Sequence, residues 1–229
     1  DVHDLIREFL VRSIDDQTKQ SVHSNCALYY SKLSKSSETT LEQIYHELAS
    51  EHEQEAIEKI VEFGRQLVSQ GHLELLSLIE SVNLERLQPS LMAPMMQLQG
   101  DILLMLGRFD QATEIFDTAS NAAKNAKLPV IYSEILGSQA DIAMKQGQTD
   151  KALSAHKEAL EVQVELGDAK GAARTYNNMG YLLRRKNDQK AAMEAYAQVE
   201  TILSTTTSPD ELVGSRISLA RAFLDLGAV

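Results

Sequence analysis

Apolar residues recur three or four positions apart through most of the chain, which is the spacing of one face of an α-helix. This pattern predicts an all-α protein. Before residue 93 it predicts five helices. The first spans residues 2–13, and the second is capped by Asp15 and runs to about Leu33. The third is capped by Thr39 or Thr40, the fourth ends at Gly71, and the fifth begins at Leu73. In the second helix we expect five residues to face inward, namely Val22, Cys26, Tyr29, Tyr30 and Leu33.

The C-terminal half repeats with a period of 40 residues. Small residues recur at one position of the repeat, glycine or asparagine at a second, and alanine at a third. These sets are Gly100, Ala140, Gly180 and Ala220; Gly107, Gly147, Asn187 and Gly227; and Ala112, Ala152 and Ala192. A long fixed period is typical of stacked helical hairpins. The predicted helix pairs span residues 93–106 and 110–125, 130–146 and 150–166, and 169–186 and 189–206, and Ser208-Pro209 begins another helix.

The turns inside these hairpins share one chemistry. Gly107 and Gly147 stand where a helix must stop, and glycine tolerates the positive φ that such a stop requires. Asn187 replaces glycine in the third hairpin and is the next best residue for that geometry. Asp110 and Asp150 follow, and we expect each to cap the helix that begins there.

The repeated residues resemble the tetratricopeptide repeat. The matching positions are Gly100, Leu103, Ala112, Phe116 and Ala119; Leu136, Ala140, Ala143, Ala152 and Ala159; and Tyr176, Gly180, Leu183, Ala192 and Tyr196. His156 departs from the pattern, because a bulky aromatic residue is usual there. The resemblance covers residues 93–229 and implies a right-handed superhelix, or α-solenoid. The units exceed the usual length of about 34 residues and are similar to the helical arms of large signalling ATPases and to kinesin-light-chain-like arrays.

The same resemblance implies a binding groove lined by the first helix of each pair. The residues that it places there are Gln97, Asp101 and Leu104; Glu134, Asp141 and Met144; and Arg174, Asn177, Tyr181 and Arg184. Such a groove changes from acidic to basic along its length. We expect it to bind an extended peptide, a protein or a small effector.

The first residues hold a second resemblance, to the end of the winged-helix domain of STAND-class signal-transduction ATPases. In that family a Met-His-Asp triplet contacts bound nucleotide, and His3 and Asp4 match its last two residues. The resemblance implies a regulatory arm that works with the nucleotide-binding domain of a longer parent chain. We therefore divide the chain into a winged-helix remnant and linking helix over 1–35, irregular hairpins over 36–92 and repeats over 93–229. No G-x-x-x-x-G-K-[ST] phosphate loop occurs in this sequence.

Composition and side-chain chemistry argue against catalysis. No serine or cysteine nucleophile has a matched base, the six histidines lack metal-ligand spacing, and no cofactor motif occurs. We interpret the carboxylates at 47, 51, 53, 55 and 58 as a solvated helix face. The net charge of −11 disfavours nucleic acid. A single cysteine, Cys26, and the lack of a long apolar run favour a protein of the cytoplasm with no membrane span.

Three alternatives stay open. The chain could be a stand-alone scaffold without an ATPase. It could contact DNA through Arg174, Arg184 and Arg185. It could also self-associate through the last predicted helix, whose apolar residues are Ile217, Leu219, Ala220, Phe223 and Leu224.

Overall fold

The computed structural model describes residues 14–204 and Ala220. Over residues 14–204 it consists of ten α-helices and a short 3-10 turn at Leu84–Arg86, with no strand. The helices are α1 (Asp16–Ser31), α2 (Ser37–Leu48), α3 (Glu53–Ser69), α4 (Leu75–Ser81), α5 (Pro89–Met105), α6 (Phe109–Asn125), α7 (Pro129–Lys145), α8 (Thr149–Glu165), α9 (Ala169–Arg185) and α10 (Gln189–Ser204). The all-α prediction is confirmed. His3, Asp4, Ile217, Leu219, Phe223 and Leu224 lie outside the described residues.

The chain divides into two compact units between Ile102 and Leu103. In the first unit α1 packs on α2, and α2 packs on α3. Its fully buried side chains include Ile44, Ile60, Leu75, Ile79 and Met95. Glycine at position 64 lets α5 approach α3, since a Cβ there would lie 2.3 Å from Cδ2 of Leu98.

The inward orientation predicted for most of α1 is wrong. Val22 is 52% exposed and Tyr29 is 61% exposed, and Leu33 is exposed as well. Cys26 and Tyr30 are half-buried. The described helix that packs against α1 is α2, so one side of α1 is covered and the opposite apolar side is left open.

Two helix starts also differ from prediction. Ser36, and not Thr39 or Thr40, caps α2, because its hydroxyl accepts from the Thr39 amide while the Ser36 amide donates to the Thr39 hydroxyl. By contrast, Asp15 caps α1 as predicted, accepting from the Thr18 amide at 2.9 Å. The first helix of the repeats begins at Pro89, four residues before the predicted start at 93.

In the second unit α7 pairs with α8 and α9 with α10, while α6 packs on α7 and α8 on α9. The helix bounds agree with the predicted 40-residue repeat. Gly107 and Gly147 both have a φ of +74°, and Asn187 has a φ of +64°, so the predicted turn chemistry is confirmed. The predicted caps at Asp110 and Asp150 are wrong, since both lie in the first turn of their helices and no side chain caps either start.

The small residues of the repeat lie in the helix contacts. Ala112, Ala140, Ala152 and Ala192 are fully buried. Met179 and Leu182 of α9 share one apolar cluster with Ala140 and Ala143 of α7 and with residues of α8. Helix α8 packs against both α7 and α9 and joins them in this cluster.

Candidate ligand-binding surface

The seven expected site residues of the second and third repeats lie on α7 and α9. They are Glu134, Asp141 and Met144 on α7, and Arg174, Asn177, Tyr181 and Arg184 on α9. Arg174 and Tyr181 are exposed, and the other five are half-buried. The side chains are therefore partly fixed by packing and still reachable from solvent.

The charge of Arg174 on this surface affects two titratable side chains, Asp141 on α7 and the buried His156 on α8. Burial raises the pKa of the Asp141 carboxyl, and the positive charges of Arg174 and Lys145 oppose that rise. Burial and, to a smaller extent, the charge of Arg174 together lower the pKa of His156 on α8 to about 4. The guanidinium is thus close enough to act on side chains of α7 and α8 at once. Asp141 and Arg174 carry opposite charges on neighbouring helices.

Two buried polar atoms at this place have no hydrogen-bond partner among the described residues. They are Oδ1 of Asn177 and Nδ1 of His156. A buried acceptor without a donor costs free energy, of order 1–3 kcal/mol for a side-chain group. Oδ1 of Asn177 sits on the half-buried part of α9 next to Arg174 in the helix turn. This oxygen is closed to solvent in the free chain, so a ligand's N–H would reach it only after a rotation of the Asn177 side chain.

An aromatic side chain extends the surface towards the end of α9. Tyr181 is 40% exposed, and the Arg185 guanidinium lies 5.9 Å from its ring centroid. Lys186, which follows α9, instead forms an ion pair with Asp150 at the start of α8. The surface therefore combines a carboxylate, an amide, an aromatic ring and guanidinium groups.

The expected residues of the first repeat are placed differently. Gln97 is only 4% exposed, and its Oε1 accepts from Nη2 of Arg65 at 2.9 Å. Its amide is engaged inside the first unit, which removes it from the surface. Asp101 and Leu104 are half-buried. The candidate site is thus the α7–α9 surface of the second unit.

Some polar clusters were missed or misread from the sequence. Glu47 is not solvated as expected; it is 6% exposed, and Lys59 lies 2.9 Å from its carboxylate. The contact between His23 and His46 gave no sequence signal, because the two residues belong to different helices.

Within residues 14–204, no group of three or more His, Cys, Asp or Glu side chains is placed to hold a metal ion. Nor does any described helix have the length and apolar character needed to cross a membrane.

Comparisons with known proteins agree with this architecture. Residues 132–205 match the tetratricopeptide repeat family, whose members generally bind protein partners and are typically not catalytic. The chain is similar to the crystal structure of BtubC (BKLC) from P. vanneervenii, with a TM-score of 0.62 and 18% identity over 94% of this chain and 85% of that chain. No curated protein matches the sequence. The fold is an α-solenoid of helical repeats, as the sequence predicted.

Proposed function

We propose that this chain is a non-catalytic binding module, and that the α7–α9 surface binds an extended segment of a protein or peptide partner. The observation that carries the proposal is the grouping of the exposed Arg174 and Tyr181 on α9 with the half-buried Asp141 on α7. A bound main chain offers both N–H donors and C=O acceptors to such a set of side chains.

The charges on this surface suit a main chain with polar side chains better than an apolar ligand. Arg174 offers several N–H donors to a carbonyl or carboxylate, and Asp141 accepts from an amide or an ammonium group. Tyr181 supplies exposed aromatic area on the same helix as Arg174. A small effector with both a donor and an acceptor would use the same groups, and it is the alternative ligand.

Selection from a phage-displayed library of random linear peptides tests the proposal. The probes are the enriched peptides, and their affinities are measured for the whole chain and for Asn177→Ala and Arg174→Ala. We expect each substitution to weaken binding about tenfold or more, which corresponds to about 1.4 kcal/mol. The matched control is Lys157→Ala, which removes an exposed cation from α8 and should leave affinity unchanged. Failure to enrich any peptide, or equal loss in all three variants, would overturn the proposal.

We further propose that the module is the regulatory arm of a larger STAND-type ATPase, in which partner binding biases the nucleotide-binding domain. This rests on the resemblance at His3 and Asp4 and on the likeness of the lengthened repeats to the helical arms of large signalling ATPases. The alternative is a stand-alone scaffold. Sequencing the parent gene upstream of Asp1 separates the two, because a STAND parent must encode a phosphate loop there.

The free thiol of Cys26 supports a cytoplasmic location.

A further inference from the structure

Two histidines face each other across the contact between α1 and α2. Nδ1 of His23 and Nδ1 of His46 are 2.8 Å apart, and both side chains are half-buried. The Tyr30 ring stacks on His46 at a centroid distance of 5.6 Å, and the Tyr45 ring meets His23 edge-on at 5.7 Å. The imidazoles therefore form the polar centre of an aromatic cluster that joins the two helices.

A hydrogen bond between two imidazole nitrogens contains one proton, because one nitrogen must donate and the other must accept through its lone pair. Nε2 of His46 lies 3.9 Å from a carboxylate oxygen of Glu42. That carboxylate favours a proton on Nε2 of His46 and leaves its Nδ1 as the acceptor. His23 then donates its Nδ1–H to His46.

We propose that this pair is a pH-sensitive switch: α1 stays packed on α2 while the two Nδ1 atoms share one proton, and it separates from α2 when both carry one. The first added proton goes to Nε2 of His23, which leaves the hydrogen bond intact and makes it charge-assisted. The second must go to Nδ1 of His46. Two N–H groups and two positive charges then oppose each other at a distance that had held a hydrogen bond.

The surroundings of His46 set the direction of the response. Burial lowers the pKa of His46, the charge of His23 lowers it further, and Glu42 partly offsets both. A histidine whose folded-state pKa is depressed stabilises the fold above the ordinary value of 6.5, and this contribution is lost as the pH falls below it. Among the described contacts of the pair, the other titratable side chains are those of Tyr30 and Tyr45.

Helix α1 is suited to respond because, within the described part of the chain, its burial is slight. Of its residues, Ala27 alone is buried, and α2 is the described helix that packs against it. The histidine pair lies at the centre of the polar and aromatic contacts that join α1 to α2. By contrast, α3 has six buried residues and should stay folded over the same pH range.

Hydrogen exchange of the whole chain between pH 7.5 and pH 5, corrected for intrinsic exchange rates, tests the switch. We expect the opening constant of α1 to rise by up to about tenfold for each pH unit below the histidine range, as uptake of one proton requires. Protection in α3 should not change. In His46→Gln the opening of α1 should lose its pH dependence, whereas the control His52→Gln, which removes an exposed histidine, should behave as the unmodified chain.

Equal protection of α1 at both pH values would overturn the proposal, as would an unchanged pH dependence in His46→Gln. If His46→Gln already detaches α1 at neutral pH, the variant cannot test the switch. Imidazole NMR titration of the unmodified chain then tests it instead. The proposal then requires His46 to titrate below the ordinary histidine value of 6.5, together with loss of α1 protection. A His46 that titrates at or above that value contradicts it.

Discussion

The ring of Tyr196 on α10 lies directly against Gly180 on α9, and a Cβ at position 180 would sit 2.6 Å from its Cε1 atom. Tyr196 is 3% exposed, so the ring has no free space into which to move. The equivalent positions one repeat earlier hold Ala140 and His156. The repeat thus pairs the larger ring with glycine in the third hairpin and the smaller ring with alanine at the equivalent positions of the second.

We predict that Gly180→Ala destabilises the protein by about 1–3 kcal/mol, because the added methyl group overpacks a closed contact. The double variant Gly180→Ala/Tyr196→His, which copies the second repeat, should recover part of that loss. Urea unfolding measures both. The control is Gly137→Ala on α7, where no atom lies within 4 Å of the new Cβ; it should be neutral or stabilising by up to about 1 kcal/mol. Equal destabilisation by the two alanines would refute the packing argument.

A second prediction concerns the pH dependence of stability. The pKa of His156 is depressed from 6.5 to about 4, so the unfolded chain binds this proton more readily than the folded one. The contribution of His156 is present above pH 6.5 and is lost as the pH falls towards 4. At pH 5 the loss is about 2 kcal/mol by linkage.

Urea unfolding of the unmodified chain and of His156→Gln at pH 7.5 and pH 5 isolates this effect. The difference between the two proteins should change by that amount between the two pH values. Asp141 acts in the opposite direction, because its raised pKa favours the folded state at lower pH, but it is present in both proteins. An identical pH dependence in both would show that His156 is not buried as described.

Removal of the Arg174 guanidinium should shift two titrations at once. Arg174 lowers the pKa values of both Asp141 and His156, so Arg174→Ala should raise both. Carboxyl and imidazole NMR measure them directly, and Lys190→Ala, which removes an exposed cation from α10, serves as the control. If neither titration moves, Arg174 is not close to both Asp141 and His156, as the candidate site requires.

A buried hydrogen bond joins α8 to α9 beneath the candidate surface. The hydroxyl of Thr175 donates to Oε1 of Gln163 at 2.8 Å, and both residues are buried. Thr175→Val should cost about 1–3 kcal/mol, since it leaves a buried amide oxygen without a donor. Thr201→Val, where the exposed hydroxyl donates to a carbonyl within its own helix, should change the free energy of unfolding by less than about 0.5 kcal/mol. Similar losses in the two variants would contradict the prediction.

The repeats could be predicted from sequence because their signals are local. Gly107, Gly147 and Asn187 indicate a positive φ at the end of a helix. The buried alanines indicate a helix contact that recurs every 40 residues. The first unit has no such repetition. The apolar side of α1 was expected to face inward. Its burial depends on which helix lies beside it, and the spacing of apolar residues along α1 does not predict that neighbour.

Part of the candidate site could also be predicted, because its residues lie at positions that recur in each repeat. The resemblance marked α7 and α9 positions such as Arg174 and Asn177, but it also marked Gln97, whose burial follows from its long-range hydrogen bond to Arg65. The depressed pKa of His156 and the His23–His46 contact depend on side chains that come together only in the fold. Spacing along one helix cannot reveal them.

The central claim is that α7 and α9 present the binding surface of this module. A photo-crosslinking residue, p-benzoylphenylalanine, placed at Tyr181 on α9 or at Lys157 on α8, tests it with a peptide enriched from the library. The account predicts cross-linking from position 181 and none from position 157. Cross-linking from position 157 alone would contradict it.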